Sequence, residues 1–584
     1  MLDASGRSPS SANPVSSIDF PDHARTVRNS SNTKTLTPTP FQTGNFDMRT
    51  GGQSLNSTSA LHGLVQCVLL ALFLSHAATA HAATLQLSMR TRMETAPGSK
   101  RFHTVTETVD WDAEQTAIVV CDMWNDHYCR NSARRVAEMA PRMNQVIQKA
   151  RDMGVLIIHS PSGCMNAYAD TPQRKLAQQA PKVKTEVELQ VWCYLDEQHE
   201  ALLPISATQP CDDDGAIRAV IGMYERQIDT LEIVEGDAIT DSAEAYYLMK
   251  QKGIKNVIVM GVHTNICVLG RPFGIRQLVY QGQNVVLMRD MTDAMYNPRD
   301  EPFVNHFTGN DLVFEHIERH WCPTITSADI LGDQPFRFPG DKRQHLVVVM
   351  ADDEYNSQSI LPPFVLRHLG ADFKITFAYA SADDRNDIPG VEALDDADIA
   401  IWAIRRRSLP VEQLAHFRKF IADGKPLVAL RTTSHAFHLR NKPPGAGQGE
   451  WREFDGEVWG GNYHDHTPNQ LQTFARILEG AQGHPILLGV CADEFRTHGS
   501  LYYNRPLAPY AAPLLMGRAE TVEQHEPVAW TYQRPHGGKV FYTSLGHTQD
   551  YELVDFQRLL RNAVYWAAGL PAAAEPGEED HSGC

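Results

Sequence analysis

Two residues at the ends of buried strands have the chemistry of a nucleophile and a base. The run TAIVVCD (116–122) ends in Asp122, and the run NVIVMG (256–261) leads through a tight turn to Cys267, which opens a helix. A thiol there lies at the positive end of the helix dipole, which favours the thiolate, and free backbone N–H groups can stabilise an oxyanion. A carboxylate at the end of a neighbouring strand can accept the thiol proton. The sequence therefore predicts that Cys267 is a nucleophile and Asp122 its base.

The elements that position these residues alternate between short apolar strands and amphipathic helices. This alternation predicts an α/β fold with two doubly wound domains, each a mostly parallel sheet with helices on both faces. A linker rich in Pro and Gly, residues 331–344, separates a first domain at 102–330 from a second at 345–569. The other strand-like runs are 154–160, 284–290, 345–353, 372–380, 398–404, 426–433 and 539–546.

The first eighty residues have the composition of an extension followed by an export signal. Residues 1–60 are rich in Ser, Thr, Asn, Pro and Gly, and we expect them to be disordered or a mis-called extension. Residues 61–82 hold a dozen apolar residues and an A-x-A pattern, which is typical of a signal peptide. Since a signal peptide stands at an N-terminus, translation from Met48 is the simplest explanation. The alternative is an uncleaved membrane anchor.

An exported chain would be periplasmic or extracellular. The acidic residues 570–584 are expected to form an unstructured tail. The chain has 53 Lys and Arg against 70 Asp and Glu, a net charge of −17 that argues against nucleic acid and anionic membranes as partners. Ten cysteines in 584 residues are too dilute for a disulfide scaffold. With no apolar run of the required length, no membrane span is expected after signal cleavage.

The strand-end Asp122 and the run G-V-H-T-N-x-C-V (261–268) resemble the isochorismatase-like cysteine hydrolases, which include nicotinamidases and carbamoylsarcosine-type amidohydrolases. The resemblance covers about 102–330. It implies an Asp, Lys and Cys triad, a cis peptide before the cysteine helix, here expected at His263–Thr264, and an oxyanion hole that includes the Cys267 N–H.

The sequence departs from that pattern at the lysine. Its expected place falls in MYERQIDTLEI (223–233), where Arg226 is the best candidate, either in catalysis or in a structural ion pair. Lys182 and Lys184 are alternatives from a loop. An arginine can hold a thiolate but is a poor proton carrier. The nicotinamidase-type metal cluster has no counterpart in residues 159–175, so neither a metal nor another cofactor is expected.

Residues next to the predicted nucleophile and base are candidates for substrate binding. Those after Asp122 either line a pocket or form a surface turn. The candidates are Trp124, Asn125, His127, His263, Thr264 and Asn265.

Residues 345–569 resemble the trehalose-utilisation (ThuA-like) family, whose fold is that of class I glutamine amidotransferases. The pieces that carry the resemblance are 427–437, 461–466 and 537–569. The elbow where amidotransferases have a cysteine reads RTTSH (431–435) here. Polar residues around it either form a pocket for hydroxyl groups or a divalent metal, or are separate surface and capping histidines. They are Ser434, His435, His464, His466 and His547.

The sequence thus predicts an exported hydrolase that cleaves a C–N or related bond of a small molecule through Cys267. Its second domain would bind or modify a carbohydrate-like ligand. Two alternatives stay open: a non-catalytic periplasmic or cell-surface binding protein, and an enzyme of sugar breakdown whose active site is in the ThuA-like domain. The resemblance is compatible with a homo-oligomer.

Overall fold

Two large β-sheets organise the chain from residue 83 onward, and β13 (Asp465–His466) and β16 (Tyr502–Tyr503) form a third sheet of two strands. The computed structural model describes residues 83–571 except 217, 220, 221 and 536. The expected extension, the signal peptide at 61–82 and the tail from 572 on lie outside the described residues. No helix in the described part of the chain is long and apolar enough to cross a membrane.

The first sheet has the order β2-β1-β8-β7-β6-β3-β4-β5. Its strands are β1 (Thr84–Glu94), β2 (Phe102–Asp112), β3 (Thr116–Cys121), β4 (Leu156–Ser160), β5 (Ala238–Ile239), β6 (Asn256–Val262), β7 (Asn284–Asp293) and β8 (Thr324–Ile325). The helices of this half are α1 (Arg130–Asp152), α2 (Pro172–Gln178), α3 (Glu244–Lys252), α4 (Cys267–Gly270), α5 (Ile275–Tyr280), α6 (His306–His320) and α7 (Ala328–Leu331). The strands from β8 to β5 in the sheet are parallel, and the hairpin β1–β2 adds an antiparallel edge.

The second sheet has the order β10-β9-β11-β12-β19-β18-β17-β14-β15. The strands of this half are β9 (Gln344–Ala351), β10 (Phe373–Tyr379), β11 (Ile399–Ile404), β12 (Leu427–Leu430), β13 (Asp465–His466), β14 (Thr473–Ile477), β15 (Phe495–Arg496), β16 (Tyr502–Tyr503), β17 (Ala511–Ala519), β18 (Val522–Gln533) and β19 (Lys539–Thr543). Its helices are α8 (Ser357–Leu369), α9 (Val411–Ala422) and α10 (Val554–Ala568). The five strands from β10 to β19 are parallel, and the remaining four continue the sheet in antiparallel fashion.

The α/β fold with two helix-covered sheets is confirmed. Strands β3 and β6 are buried along their whole length, because helices cover both faces of a parallel sheet. This explains why they form continuous apolar runs in the sequence. The first sheet begins at Thr84, so the β1–β2 hairpin extends the first half beyond the expected start at residue 102.

The order of the strands makes the ends of β3 and β6 a natural site. From β3 the chain proceeds outward to β4 and β5, then returns to β6 on the other side of β3. Open α/β sheets bind ligands at such a reversal, beyond the carboxyl ends of the strands. Asp122 directly follows β3, and Cys267 follows β6 after a four-residue turn.

A long irregular segment, residues 179–237, connects α2 to β5. We call it the covering segment, because Trp192 and Tyr224 within it lie over the ends of β3 and β6, as described below. Its contacts with the sheet explain how a connection of this length is held without helices or strands of its own.

Gly261 allows β3 and β6 to approach closely near these ends. A Cβ atom on Gly261 would lie 2.0 Å from the carbonyl oxygen of Cys121, and its φ is +105°. No other residue type fits both the space and the backbone conformation. Gly253, at the end of α3, also has a positive φ (+73°), but a Cβ there would meet nothing within 4 Å.

We expect Gly261→Ala to lower the free energy of unfolding by roughly 3 kcal/mol or more, since steric overlap adds to backbone strain. Gly253→Ala, which carries the strain without the overlap, should cost about 1 kcal/mol. Urea unfolding of both variants measures the difference. Equal losses would show that the approach of β3 and β6 does not require glycine.

Candidate functional site

Asp122 is held in place by the end of the neighbouring strand β4. Its N–H donates to Ser160 O at 3.1 Å, and its Oδ1 accepts from Ser162 N at 2.7 Å. The residue is fully buried and has a left-handed φ of 48°. Burial raises the pKa of the Asp122 carboxyl, and the nearby charge of Arg271 opposes that rise.

The turn between β6 and Cys267 contains the cis peptide bond. The bond is Val262–His263, so the expectation of His263–Thr264 is wrong by one residue. The reason is that β6 stays paired with β7 up to Val262, which lies opposite Asp293, and the chain turns immediately afterwards. The Thr264 N–H then donates to Asp293 O at 3.0 Å, which anchors the turn to the end of β7.

The side chains of Thr264 and Asn265 hold this turn. Thr264 Oγ1 lies 2.6 Å from Thr292 Oγ1. Asn265 donates to Met295 O at 3.1 Å and accepts from Met295 N at 2.9 Å. Both residues, expected to bind substrate, therefore use their side chains to position the cysteine turn.

The cation next to Asp122 and Cys267 is Arg271, which is not among the residues predicted from the sequence. Arg271 Nε lies 3.5 Å from Asp122 Oδ2, and Arg271 also acts on the pKa of Cys267. Arg226, the sequence candidate, instead pairs with Asp229 at the surface, 2.8 Å away. Its segment forms part of the covering segment, which turns this side chain outward. Arg271 follows Cys267 by four residues, one helical turn, and this spacing was the available signal.

The remaining cation candidates, Lys182 and Lys184, are both exposed on the covering segment. Trp192 of the same segment lies against the site, with its ring 5.3 Å from the Arg271 guanidinium. The Cys193 N–H donates to Gly270 O at 2.7 Å. A Cβ on Gly270 would come within 2.7 Å of the Trp192 ring, so glycine is needed for this contact.

Cys267 is 6 % exposed and lies between Asp122 and Arg271. Burial raises the pKa of its thiol strongly, the Asp122 carboxylate raises it further, and Arg271 opposes both. The expectation that the helix N-terminus favours the thiolate is thus outweighed by burial and by the neighbouring negative charge. The resting site holds a protonated thiol beside its base.

The backbone around Cys267 leaves a donor free for an oxyanion. The N–H groups of Ile266 and Val268 both donate to His263 O, at 3.0 and 3.2 Å. Within the described part of the chain, the Cys267 N–H has no such acceptor. It can therefore donate to a carbonyl oxygen of a substrate bound at Sγ.

Aromatic rings pack together beside the turn that leads to Cys267. Trp124 donates from Nε1 to Ser162 O at 3.0 Å and packs against the Tyr224 ring, with centroids 4.8 Å apart. The rings of His127 and His263 are 4.9 Å apart. Burial lowers the pKa of His127 to about 4 and that of His263 to about 3, so both are neutral at pH 7.

Asn125 lies at the base of the covering segment. Its Oδ1 accepts from the N–H groups of Glu225 and Arg226 at 3.1 and 3.2 Å. The side chain thus fixes the part of the segment that carries Tyr224.

A buried ion network lies behind the cysteine turn. Asp293 accepts from Arg135 Nε at 2.7 Å and lies 2.8 Å from His306 Nε2. Arg135 also pairs with Asp212 of the covering segment at 2.8 Å. Burial raises the pKa of the Asp293 carboxyl, but the charge of Arg135 and the hydrogen bonds with His306 and Asn310 hold it far below its usual range. The network therefore links the end of β7, helix α1 and the covering segment by charge.

One group of side chains among the described residues has the spacing of metal ligands. The ligand atoms of Cys129, Cys211 and Asp213 all lie within 4.8 Å of one another. Hydrogen bonds account for this proximity, since Cys129 Sγ lies 3.5 Å from Asp213 Oδ1 and that carboxylate accepts from backbone N–H groups of α1. We assign no ion to it.

In the second half, the elbow after β12 carries a buried arginine. Strand β12 ends at Leu430, and Arg431 follows with a left-handed φ of 42°. Its guanidinium lies between the rings of Tyr355 and Tyr502, 4.4 and 4.7 Å from their centroids, and donates to Ser544 O at 2.7 Å. The residue at the elbow is thus a cation that is 2 % exposed.

Ser434 and His435 are buried next to this elbow. Ser434 Oγ lies 3.0 Å from His435 Nδ1, and the His435 ring stacks on Tyr463 with centroids 4.5 Å apart. Burial and the charge of Arg406 hold the pKa of His435 well below its usual range. His435 is therefore neutral, and it can serve as a hydrogen-bonding group of a polar pocket.

The two histidines of the GNYHDH run lie against different tyrosines. Strands β13 and β16 pair His466 with Tyr502, whose ring centroid is 5.8 Å away. His464 lies 6.0 Å from the Tyr503 ring and is exposed. Only His466 therefore shares a neighbour with His435, which lies 6.3 Å from Tyr502.

His547 caps the short helix 548–552. Its Nδ1 accepts from Gln549 N at 3.3 Å, and its ring lies 5.7 Å from Tyr355, one of the two tyrosines around Arg431. His547 is therefore a capping histidine, and its ring also lies near Tyr355, next to the elbow.

Comparison with known proteins gives a result for each half. Residues 345–567 match the ThuA family, described as trehalose utilisation. A ThuA-like protein from Parabacteroides merdae is 17 % identical over 40 % of this chain and 94 % of its own, with a TM-score of 0.31. No curated protein matches the chain.

The solved structures similar to the N-terminal part include a cysteine hydrolase and an isochorismatase-family protein. A cysteine hydrolase from Pseudomonas syringae pv. phaseolicola is 17 % identical over 38 % of this chain and 93 % of its own, with a TM-score of 0.25. N-carbamoylsarcosine amidase from Thermoplasma acidophilum is 14 % identical over 36 % and 96 %, with a TM-score of 0.21.

We expect Asp122→Asn to alkylate faster with iodoacetamide at pH 7 than the wild type. The variant lacks the negative charge that raises the thiol pKa, while Arg271 still lowers it. Each unit by which the pKa falls gives about tenfold more thiolate at this pH. Peptide mass spectrometry of Cys267 measures the rates from pH 6 to 10. Asp126→Asn, a nearby carboxyl that pairs with Arg218, is the matched control. Slower alkylation of the Asp122 variant would contradict the arrangement.

Proposed function

We propose that the N-terminal half is a cysteine hydrolase that cleaves the C–N bond of a small amide or carbamoyl compound. The observation that supports this most directly is the meeting of Asp122, Cys267 and Arg271 at the carboxyl ends of two adjacent strands. Nucleophile, base and cation lie together beneath the covering segment, and a free backbone N–H stands at the nucleophile. This combination is the minimum for acyl transfer from an amide.

In the acylation step, Cys267 Sγ attacks the carbonyl carbon of the substrate while Asp122 takes the thiol proton. The carbonyl oxygen, now carrying the negative charge, accepts a hydrogen bond from the Cys267 N–H. Asp122 then gives the proton to the departing nitrogen. The C–N bond breaks, the amine or ammonia leaves, and a thioester remains on Cys267.

In the deacylation step, Asp122 takes a proton from water as its oxygen attacks the thioester carbonyl. The C–S bond breaks and the Cys267 sulfur recovers the proton. The net reaction is amide plus water to carboxylic acid plus amine. The raised pKa of the Asp122 carboxyl suits this role, because a base is most effective when its pKa approaches the working pH.

Arg271 contributes charge and orientation. Its guanidinium is permanently protonated, so it does not carry the proton. It counters the negative charge that passes between Asp122 and Cys267, and its contact with Trp192 fixes it over the site. Asp122 therefore transfers the proton, and Arg271 stabilises the negative charge without transferring a proton.

The surroundings of Cys267 favour a small, uncharged substrate with a flat apolar part. Trp124 and Tyr224 offer ring faces and edges, and the neutral imidazoles of His127 and His263 offer hydrogen bonds without charge. A primary amide or N-carbamoyl group next to a planar skeleton fits this chemistry. Export to the periplasm or the cell exterior, and a carbohydrate ligand for the ThuA-like half, complete the proposal.

We expect the purified protein to release ammonia from members of a panel of small primary amides and N-carbamoyl compounds. Cys267→Ala and Asp122→Asn should each lower kcat/KM by about 10³-fold, since nucleophile and base are lost. Arg271→Gln should lower it by about 10- to 100-fold and Arg271→Lys by less, because only the former removes the charge. Arg226→Gln, matched in chemistry but paired with Asp229 at the surface, should leave activity unchanged.

The alternatives predict other results. Ammonia release that persists in Cys267→Ala would exclude this half as a cysteine hydrolase. Absence of release from the whole panel, with saturable binding of a sugar, would favour a binding protein. Sugar turnover that is lost in His435→Ala would place the active site in the ThuA-like half.

A further inference from the structure

A cavity of about 290 Å³ lies where the two halves of the chain meet. Strands β1 and β7 and helix α6 contribute from the first half, the linker from the middle, and β10 from the second half. Its charged lining residues are Arg90, Arg289, Asp290, Asp311, Arg337, Asp341, Arg343 and Lys374. Five cations and three carboxylates therefore face one small space, which has the size of a site for a small ligand.

Three of these cations have carboxylate partners, among them Arg337, which lies 3.3 Å from Asp341. Arg343 pairs with Asp341 at 2.8 Å and with Asp311 at 3.0 Å. Arg90 pairs with Glu318 at 2.7 Å. Because these carboxylates are already paired, they neutralise little of the charge of the other cations in the cavity.

Arg289 and Lys374 have no carboxylate within 4 Å among the described residues. Arg289 donates from Nη1 to the neutral Thr324 Oγ1 at 3.1 Å. Lys374 lies on β10, and its side chain makes no hydrogen bond or ion pair in the described part of the chain. The carboxylate of Asp290, which follows Arg289 in sequence, accepts instead from Ser327, whose N–H and Oγ are each 2.7 Å away.

The electrostatics reflect this excess of positive charge. Burial and the charge of Arg90 lower the pKa of Arg289 to about 10, against the opposing charges of Glu318, Asp290 and Asp329. Desolvation also lowers the pKa of Lys374, as do Arg90, Arg289 and Arg343, while Asp311 raises it. Asp329 and Glu318 are themselves hydrogen-bonded to other groups. Arg289 is partly buried and Lys374 is exposed, so both side chains are accessible to an anion that enters the cavity from solvent.

We propose that this cavity binds a small dianion, a phosphate group or a short dicarboxylate, through Arg289 and Lys374. The guanidinium offers two parallel donors to such a group, and the ammonium adds a third. Because Arg289 belongs to the first sheet and Lys374 to the second, the bound anion bridges the two halves. It also links them where Thr308 Oγ1 already donates to Gly370 O at 2.8 Å.

Titration of the full chain with inorganic phosphate and with succinate, at constant ionic strength and pH 7, tests the proposal by calorimetry. We expect saturable binding of at least one anion at one site per chain. Arg289→Gln and Lys374→Met should each weaken it by about tenfold or more, the loss of one charge-assisted contact. The matched controls Arg226→Gln and Lys419→Met alter cations in surface ion pairs with Asp229 and Asp423 and should bind normally.

The result with each anion is informative. Phosphate alone indicates a phosphate ester, succinate alone a dicarboxylate, and both a general dianion site. Absence of binding by both, or normal binding in Arg289→Gln and Lys374→Met, would overturn the proposal.

A measurement on the wild type covers the case in which these variants do not fold. Acetylation of Lys374, followed by peptide mass spectrometry, should slow by about tenfold at a saturating concentration of the anion. Only chains without bound anion can react, and saturation lowers their fraction by about tenfold. Acetylation of Lys419 should not change. Equal rates for Lys374 with and without anion would overturn the proposal.

Discussion

The close approach of β3 and β6 at Gly261 is the constraint on which the site depends. The absence of a side chain there lets the Cys121 carbonyl come within a distance that excludes any Cβ. The two strands therefore end side by side, and the residues that follow them, Asp122 and the turn to Cys267, lie against one another. Helices on both faces keep these strands dry, so the groups at their ends interact with little screening by water.

Burial and charge are balanced against each other at the site. Burial alone favours the uncharged forms of both Asp122 and Cys267, and Arg271 compensates by stabilising negative charge on either one. One proton can then pass between the two groups while the total charge stays constant. The covering segment contributes to this balance, since Trp192 packs against the Arg271 guanidinium.

The sequence was sufficient to predict both sheets, most of their parallel strands and the proximity of Asp122 and Cys267, because buried parallel strands form apolar runs that end in polar residues. The antiparallel strands β14 to β18 were not predicted, since β14 to β16 are short and Pro513 and Pro527 interrupt the patterns of β17 and β18. Arg271 was missed because family spacing directed attention to Arg226. The proximity of Arg271 to Asp122 depends on the turn that opens α4. The charged residues of the cavity between the halves lie far apart in the sequence, so their grouping could not be predicted either.

Trapping of an acyl group on Cys267 tests directly whether this residue is the nucleophile that forms a thioester. The protein is incubated with an activated ester such as p-nitrophenyl acetate, quenched in acid, and digested for peptide mass spectrometry. We expect an acetyl adduct on the peptide that contains Cys267, formed during turnover and absent from Cys267→Ala. Ester turnover without an adduct on Cys267, or with the adduct confined to another residue, would contradict it.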